Sequence, residues 1–76
     1  MTRPESLPIE TVADLERKFH VTKSSLVASI AEEGMREPIV INRKNDELLS
    51  IDDGNHRLQA ARILGWKTVP VVYRER

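Results

Sequence analysis

The 76-residue chain contains no cysteine, which removes disulfides, thiolate metal ligands and thiol nucleophiles from every reading of it. One Trp, one Tyr and one Phe are its only aromatics, so a core has to be assembled from Leu, Ile, Val and Ala. No apolar run reaches signal-peptide length or the roughly 20 residues of a membrane span. The expectation is a reducing compartment, cytoplasmic by default, with no membrane partner. A surplus of one charge is also missing: 12 basic and 12 acidic side chains give a formal net charge of zero. Residues 1–38 hold five Lys/Arg against seven Asp/Glu, and residues 39–76 hold seven against five. A domain that grips duplex nucleic acid by its backbone usually carries a basic excess. Neutral charge therefore disfavours a stand-alone nucleic-acid partner and leaves room only for a local basic patch.

This length makes one small domain, here residues 1–76, near the size at which a single core only just suffices. Residues 1–8, with Pro4 and Pro8, read as a loose lead-in. Ile9, Val12, Leu15 and Phe19 recur at nearly helical spacing, which predicts a helix over residues 12–19 with Thr11 as its N-cap. Leu7–Glu10 reads equally as a short edge strand. A clearer helix is predicted over Lys23–Glu33, where Leu26, Val27, Ile30 and Ala31 share one arc and Gly34 supplies a left-handed stop. Pro38–Asn42 reads as a strand and Arg43–Asp46 as a polar turn. Glu47–Ile51 is the returning strand of a hairpin. A helix over Asn55–Leu64 ends at Gly65, and Thr68–Tyr73 is a last strand that Pro70 assigns to an edge or a bulge. The strand–helix–strand run over residues 47–73 predicts a crossover that lays the last strand parallel to the second. The fold class is compact α+β, with a small mixed sheet and about three helices.

The chemistry concentrates in Ile51-Asp52-Asp53-Gly54-Asn55-His56-Arg57. There a strand turns into the mouth of a helix, where unpaired N–H groups and partial positive charge favour anions. Advancing 100° per residue from Leu58, Ala60, Ala61, Ile63 and Leu64 form an apolar arc, and Arg57 falls at about 260°, in its middle. Gln59 and Arg62 fall on the polar side. A guanidinium on the buried side needs either a carboxylate or an anionic ligand. Two readings stand at even odds. In one, Arg57 pairs with Asp52 or Asp53 and pins the loop while Asp53 or Asn55 caps the helix; in the other, Arg57 and the helix mouth hold a phosphate.

On the preceding helix, Thr22, Ser25 and Ser29 lie within about 60° of one another as a hydroxyl row, with Lys23 opening the same turn. By residue type alone the row is solvent-facing and Thr22 caps the helix. Asp52 and Asp53 point to opposite faces of an extended strand, which counts against a shared metal site. One of them could hold a nucleotide-bound Mg²⁺, an ion that needs few protein carboxylates. Glu32 and Glu33 read as solvated charge, His20 as incidental, and Trp66 as a hydrophobic contact behind the C-cap glycine.

Ser29-Ile30, Gly34, Pro38-Ile39-Val40-Ile41, Ile51 through Arg57, Ala60-Ala61, Leu64-Gly65 and Val69-Pro70-Val71 occur in an order and spacing that resemble the ParB/sulfiredoxin superfamily, the ParB-like nuclease domain. The resemblance covers residues 22–73 and is specific for fold more than for activity. It implies that Gly54, Asn55, His56 and Arg57, matching the Gly-Cys-His-Arg loop of sulfiredoxins, bind the phosphates of ATP or CTP. It also implies that Ser25 and Ser29 correspond to two hydroxyls that contact the nucleotide. The family's helix lysine falls at Thr22, with Lys23 one residue out of register. Asn55 stands where sulfiredoxins have their cysteine, so repair of sulfinylated cysteine is excluded. The Gly-Glu-Arg-Arg loop and following helix-turn-helix of chromosome-partitioning members are not in this sequence, so neither sequence-specific DNA loading nor CTP clamping is expected. Relatives that phosphorylate free serine share a similar loop, which keeps phosphotransfer in view.

The leading expectation is a nucleotide- or phosphate-binding module for ATP or another nucleoside triphosphate with Mg²⁺. Hydrolysis or transfer would use Asp53 or His56 near the γ-phosphate, with the metal on Asp52 or Asp53. One alternative is a ParB-like nuclease or DNA-associated protein gripping a backbone phosphate. The other is a non-catalytic regulatory or assembly domain.

Overall fold

The β-branched runs of the sequence pair into one four-stranded sheet whose central strands carry most of the core. The computed structural model describes residues 4–16 and 21–76. Its elements are β1 (Glu5–Pro8), α1 (Ile9–Ala13), α2 (Ser24–Glu33), β2 (Ile39–Lys44), β3 (Glu47–Asp53), α3 (Asn55–Ile63) and β4 (Thr68–Glu75). The sheet order is β1-β4-β2-β3, so the mixed α+β class holds. β2 and β3 form the predicted hairpin, closed between Lys44 and Glu47. Asn45 and Asp46 at its tip both have positive φ, 51° and 66°, as a two-residue type I′ turn requires.

Several elements differ from expectation. The lead-in is ordered from Glu5 as β1, antiparallel to β4. The first helix starts at Ile9, directly after Pro8, where a fixed φ suits a helix entrance. Residues 17–19 of the predicted 12–19 helix, with Phe19, and the following His20 lie outside the described residues. β4 runs parallel to β2 and not to β3, with Ile39 opposite Val71 and Ile41 opposite Tyr73. It is therefore an internal strand. Pro70 sits opposite Ser6 of β1, one residue before pairing with β2 begins, so its missing N–H falls where one neighbour is absent.

α1 and α3 cover one face of the sheet, where Val12, Leu58 and Ala61 meet Ile39, Ile41, Val69 and Val71, all fully buried. Trp66 packs at the rim of this cluster, as predicted. α3 is buried on more than one side, because α1 and α2 also lean on it. Gln59, assigned to the polar side, is therefore buried, and its amide donates to Glu16. Arg62 donates to the same carboxylate at 3.0 Å. Ile63, assigned to the apolar arc, is 66% exposed, and Ala31 of α2 is exposed as well.

On the sheet's other face, Asn42 donates to Ser50 at 2.9 Å and accepts from Arg76 at 3.0 Å. Where β2 and β4 end side by side, Arg43 lies 3.8 Å over the Tyr73 ring and pairs with Glu75. Burial, and the bond from its hydroxyl to Glu5, push the Tyr73 phenol above its ordinary pKa. Among the described residues, no helix is long and apolar enough to cross a membrane.

Candidate functional site

β3 supplies the approach to the site and is irregular where it matters. Val40 pairs with Asp53 but Ile41 with Ile51, and Asn42 pairs with Ser50 but Arg43 with Leu48. Asp52 and Leu49 are thus extra residues on the edge strand, and such bulges re-aim side chains next to functional sites. The two neighbouring carboxylates take different partners. Asp52 accepts from Arg74 at 3.3 Å and Arg76 at 3.4 Å, across on β4 and its C-terminal extension. Asp53 meets Arg57 at 3.3 Å, one helical turn ahead. Among the described residues no group of three or more His, Cys, Asp or Glu could hold a metal.

Gly54 joins β3 to α3 with φ +108°. A Cβ there would lie 3.0 Å from Ile39 Cγ1, 3.1 Å from Ile39 Cα and 3.2 Å from Arg57 Nη2. Both backbone conformation and close approach to β2 therefore require glycine. Gly54 is itself the N-cap, and no side chain caps the helix. The expected Asp53 or Asn55 cap is not formed. Intrahelical bonding starts with Leu58 N–H to the Gly54 carbonyl at 2.9 Å, leaving the first-turn N–H groups without an intrahelical acceptor.

Arg57 lies in that first turn with its side chain only 19% exposed, as the helical wheel predicts. Its Nη2 donates to the Pro38 carbonyl and to Asp53, each at 3.3 Å, and its Nη1 lies 3.5 Å from Glu37. Among the described residues Arg57 Nε is a buried nitrogen that no acceptor meets. The carboxylate-paired reading of Arg57 is thus realised with Asp53, while Asp52 is committed elsewhere.

These residues line a cleft of about 360 Å³ between the first turn of α3, the end of β3 and the C-terminal half of α2. Asp52, Asp53, Gly54, Asn55, His56 and Arg57 form its floor and one side. Leu26, Ile30 and Met35 give it an apolar wall, and Ser29 lies beside them. Of the predicted hydroxyl row only Ser29 reaches the cleft; Ser25 and Lys23 do not line it. The cleft takes Leu26, Ser29, Ile30 and Glu33 from α2, and on a helical wheel Ser25 falls about 40° outside the arc these four span. Lys23 is the N-cap of α2, its carbonyl accepting from Leu26 at 3.0 Å and Val27 at 3.2 Å. Thr22 does not cap α2 either; its hydroxyl donates to the His56 carbonyl at 3.1 Å and ties α2 to the first turn of α3.

Met35, Arg36 and Glu37, which complete the rim with Glu33, escape sequence reasoning. They fall between a helix stop at Gly34 and a strand start at Pro38. Glu37, directly before the proline that opens β2, was the available signal. Arg36 pairs with Glu33 at 3.1 Å.

The profile of the ParB N-terminal domain family matches residues 6–76. Among curated proteins none matches the chain in sequence. Among solved structures, the C-terminally truncated chromosome-partitioning protein ParB from Caulobacter crescentus, complexed with CTP-gamma-S, is 32% identical with a TM-score of 0.69. That match covers 96% of this chain and 44% of the Caulobacter crescentus chain, so the domain spans less than half of that relative. Sulfiredoxin from Arabidopsis thaliana superposes with a TM-score of 0.71 at 20% identity, over 99% of this chain and 88% of the other. A Pnob8-like ParB-N domain gives a TM-score of 0.69 at 22% identity, over 96% and 29%. The last two likenesses carry the fold alone. The strand-to-helix turn at Gly54 and the cleft it opens thus sit within a known framework: the chain belongs to the ParB N-terminal domain family.

Proposed function

We propose that the cleft binds a nucleoside triphosphate, with the phosphates at the mouth of α3 and the base and sugar toward the α2 wall. The carrying observation is the uncapped first turn of α3, which opens on the cleft with a largely buried arginine inside it. Backbone N–H groups and the helix dipole favour a phosphate there, and a guanidinium adds charge-assisted bonds. The nucleotide in the 32% identical ParB structure supports the same reading. In it, Asn55, His56 and Arg57 contact phosphate, Gly54 lets the backbone come close, and Ser29 contacts the ligand from the opposite wall.

Mg²⁺ would arrive on the phosphates. Asp53, whose side chain is 69% exposed, is the carboxylate suited to meet it through water, while Asp52 is held by two arginines. The ion would supply charge neutralisation of the phosphates. The proposal is one of binding, in which Asp53 orients Arg57 and His56 shapes the cleft mouth.

Calorimetric titration of the chain with CTP, ATP and GTP, each with and without Mg²⁺, tests the proposal. Arg57→Ala is expected to weaken binding about 10- to 100-fold, the range for losing charged hydrogen bonds. Unchanged affinity in that variant would leave Arg57 a purely internal ion-pair residue. Single-stranded DNA serves as the competing ligand, and its preferential binding would favour the nucleic-acid alternative.

A further inference from the structure

Arg57 uses its two terminal nitrogens differently. Nη2 is held twice, by the Pro38 carbonyl and by Asp53, both at 3.3 Å. Those partners sit at the head of β2 and the end of β3, so they fix the guanidinium against the sheet. Nη1 has a different kind of partner. Glu37 reaches it at 3.5 Å with a side chain that is 79% exposed, from the strap between α2 and β2. That strap begins at Gly34, whose φ is +79° and around which a Cβ would meet nothing within 4 Å. Its Arg36 is also exposed and pairs back onto α2, at Glu33.

We propose that Glu37 is an internal stand-in for the ligand: its carboxylate occupies the anion position on Arg57 Nη1 while the cleft is empty and gives way when a phosphate arrives. This rests on the nucleotide-binding reading and adds to it a residue that sets affinity. The carboxylate end of this pair is solvent-exposed and its contact is long, so the pair is weak and yields to a phosphate at little cost. While formed, it keeps a largely buried guanidinium neutralised and correctly aimed. Asp53 stays in place, because it orients Nη2 and sits at the end of a paired strand. Glu37 therefore opposes binding both by competing for Nη1 and by repelling the incoming charge. A ligand with one weak anionic group gains little from displacing it, whereas a triphosphate brings several oxygens to the same place.

Calorimetric titration of the 76-residue chain with CTP and with ATP in the presence of Mg²⁺, comparing wild type, Glu37→Gln and Glu33→Gln, tests this. Glu33 lines the same cleft and carries the same charge but pairs with Arg36 instead. Glu37→Gln is expected to tighten binding about 5-fold, the equivalent of about 1 kcal/mol. Glu33→Gln is expected to stay within about twofold, as a general charge effect across solvent. Equal tightening in both variants would overturn the stand-in role and leave only bulk electrostatics. Unchanged or weaker binding in Glu37→Gln, with wild type binding normally, would overturn it and leave the nucleotide reading standing. No binding by any of the three would remove the nucleotide reading and this role with it. Both substituted side chains are exposed, so the fold tolerates the changes.

Discussion

At its C-terminus, α3 hands its last carbonyls to the chain that follows. Gly65, at φ +76°, donates to the Arg62 carbonyl at 3.1 Å, and Trp66 donates to that of Ala61 at 3.0 Å. This is the bond pair of a Schellman motif. At its N-terminus the same helix begins on Gly54, which has no side chain to cap it. Both ends use a glycine at positive φ, yet their surroundings differ. A Cβ on Gly65 would meet nothing within 4 Å, whereas one on Gly54 would press on Ile39 and Arg57. One end is closed by the chain itself; the other starts on a glycine without a side-chain cap and is packed against the sheet. An end left bare beside a cleft is an end available to a ligand.

Alanine at each glycine breaks the comparison most sharply. Gly54→Ala combines backbone strain with overpacking, and roughly 3 kcal/mol of stability should be lost in urea unfolding, with nucleotide binding lost as well. That is a large share of what a domain this size has, about 4–11 kcal/mol. Gly65→Ala carries the left-handed strain alone. It should cost about 1–2 kcal/mol and leave nucleotide affinity unchanged. Equal losses of stability in the two variants would show that the contact with Ile39 contributes nothing.

The same helix shows what a sequence can and cannot give. Gly54, the glycine stop at Gly65 and the inward Arg57 were all legible, because each depends on local backbone chemistry or on angle around one axis. The hairpin was legible for the same reason, since its polar tip and flanking β-branched runs lie close in sequence. Gln59 was misplaced because a wheel with one apolar face assumes one covered side, and α3 is covered by the sheet and by two helices. Its amide is satisfied by Glu16, 43 positions away, a partnership with no local trace. The pairing of β4 with β2 was equally hidden, although Ile39-Val40-Ile41 carries the continuous apolar character of an interior strand. Within the cleft, Ser29 and Ser25 looked equivalent by angle. The way α2 crosses α3 takes in Ser29 and leaves Ser25 just outside, although Leu26 beside it lines the cleft.

That crossing is fixed in part by one bond, and it gives the smallest and most selective test. Thr22 Oγ1 donates to the His56 carbonyl at 3.1 Å, joining the start of α2 to the first turn of α3. The bond belongs to the open side of the comparison. Thr22→Val keeps the shape and removes the hydroxyl. The expected loss of stability is about 1 kcal/mol, the net worth of one such bond. If α2 serves only as a cover for α3, affinity for nucleotide should not change. If it forms the second wall of the cleft, loosening it should weaken binding about threefold with little further change in melting temperature, because ordering that wall would then fall to the ligand. Calorimetry on Thr22→Val beside Gly65→Ala, two variants of similar stability, separates the two, since only the first touches the end where the ligand sits.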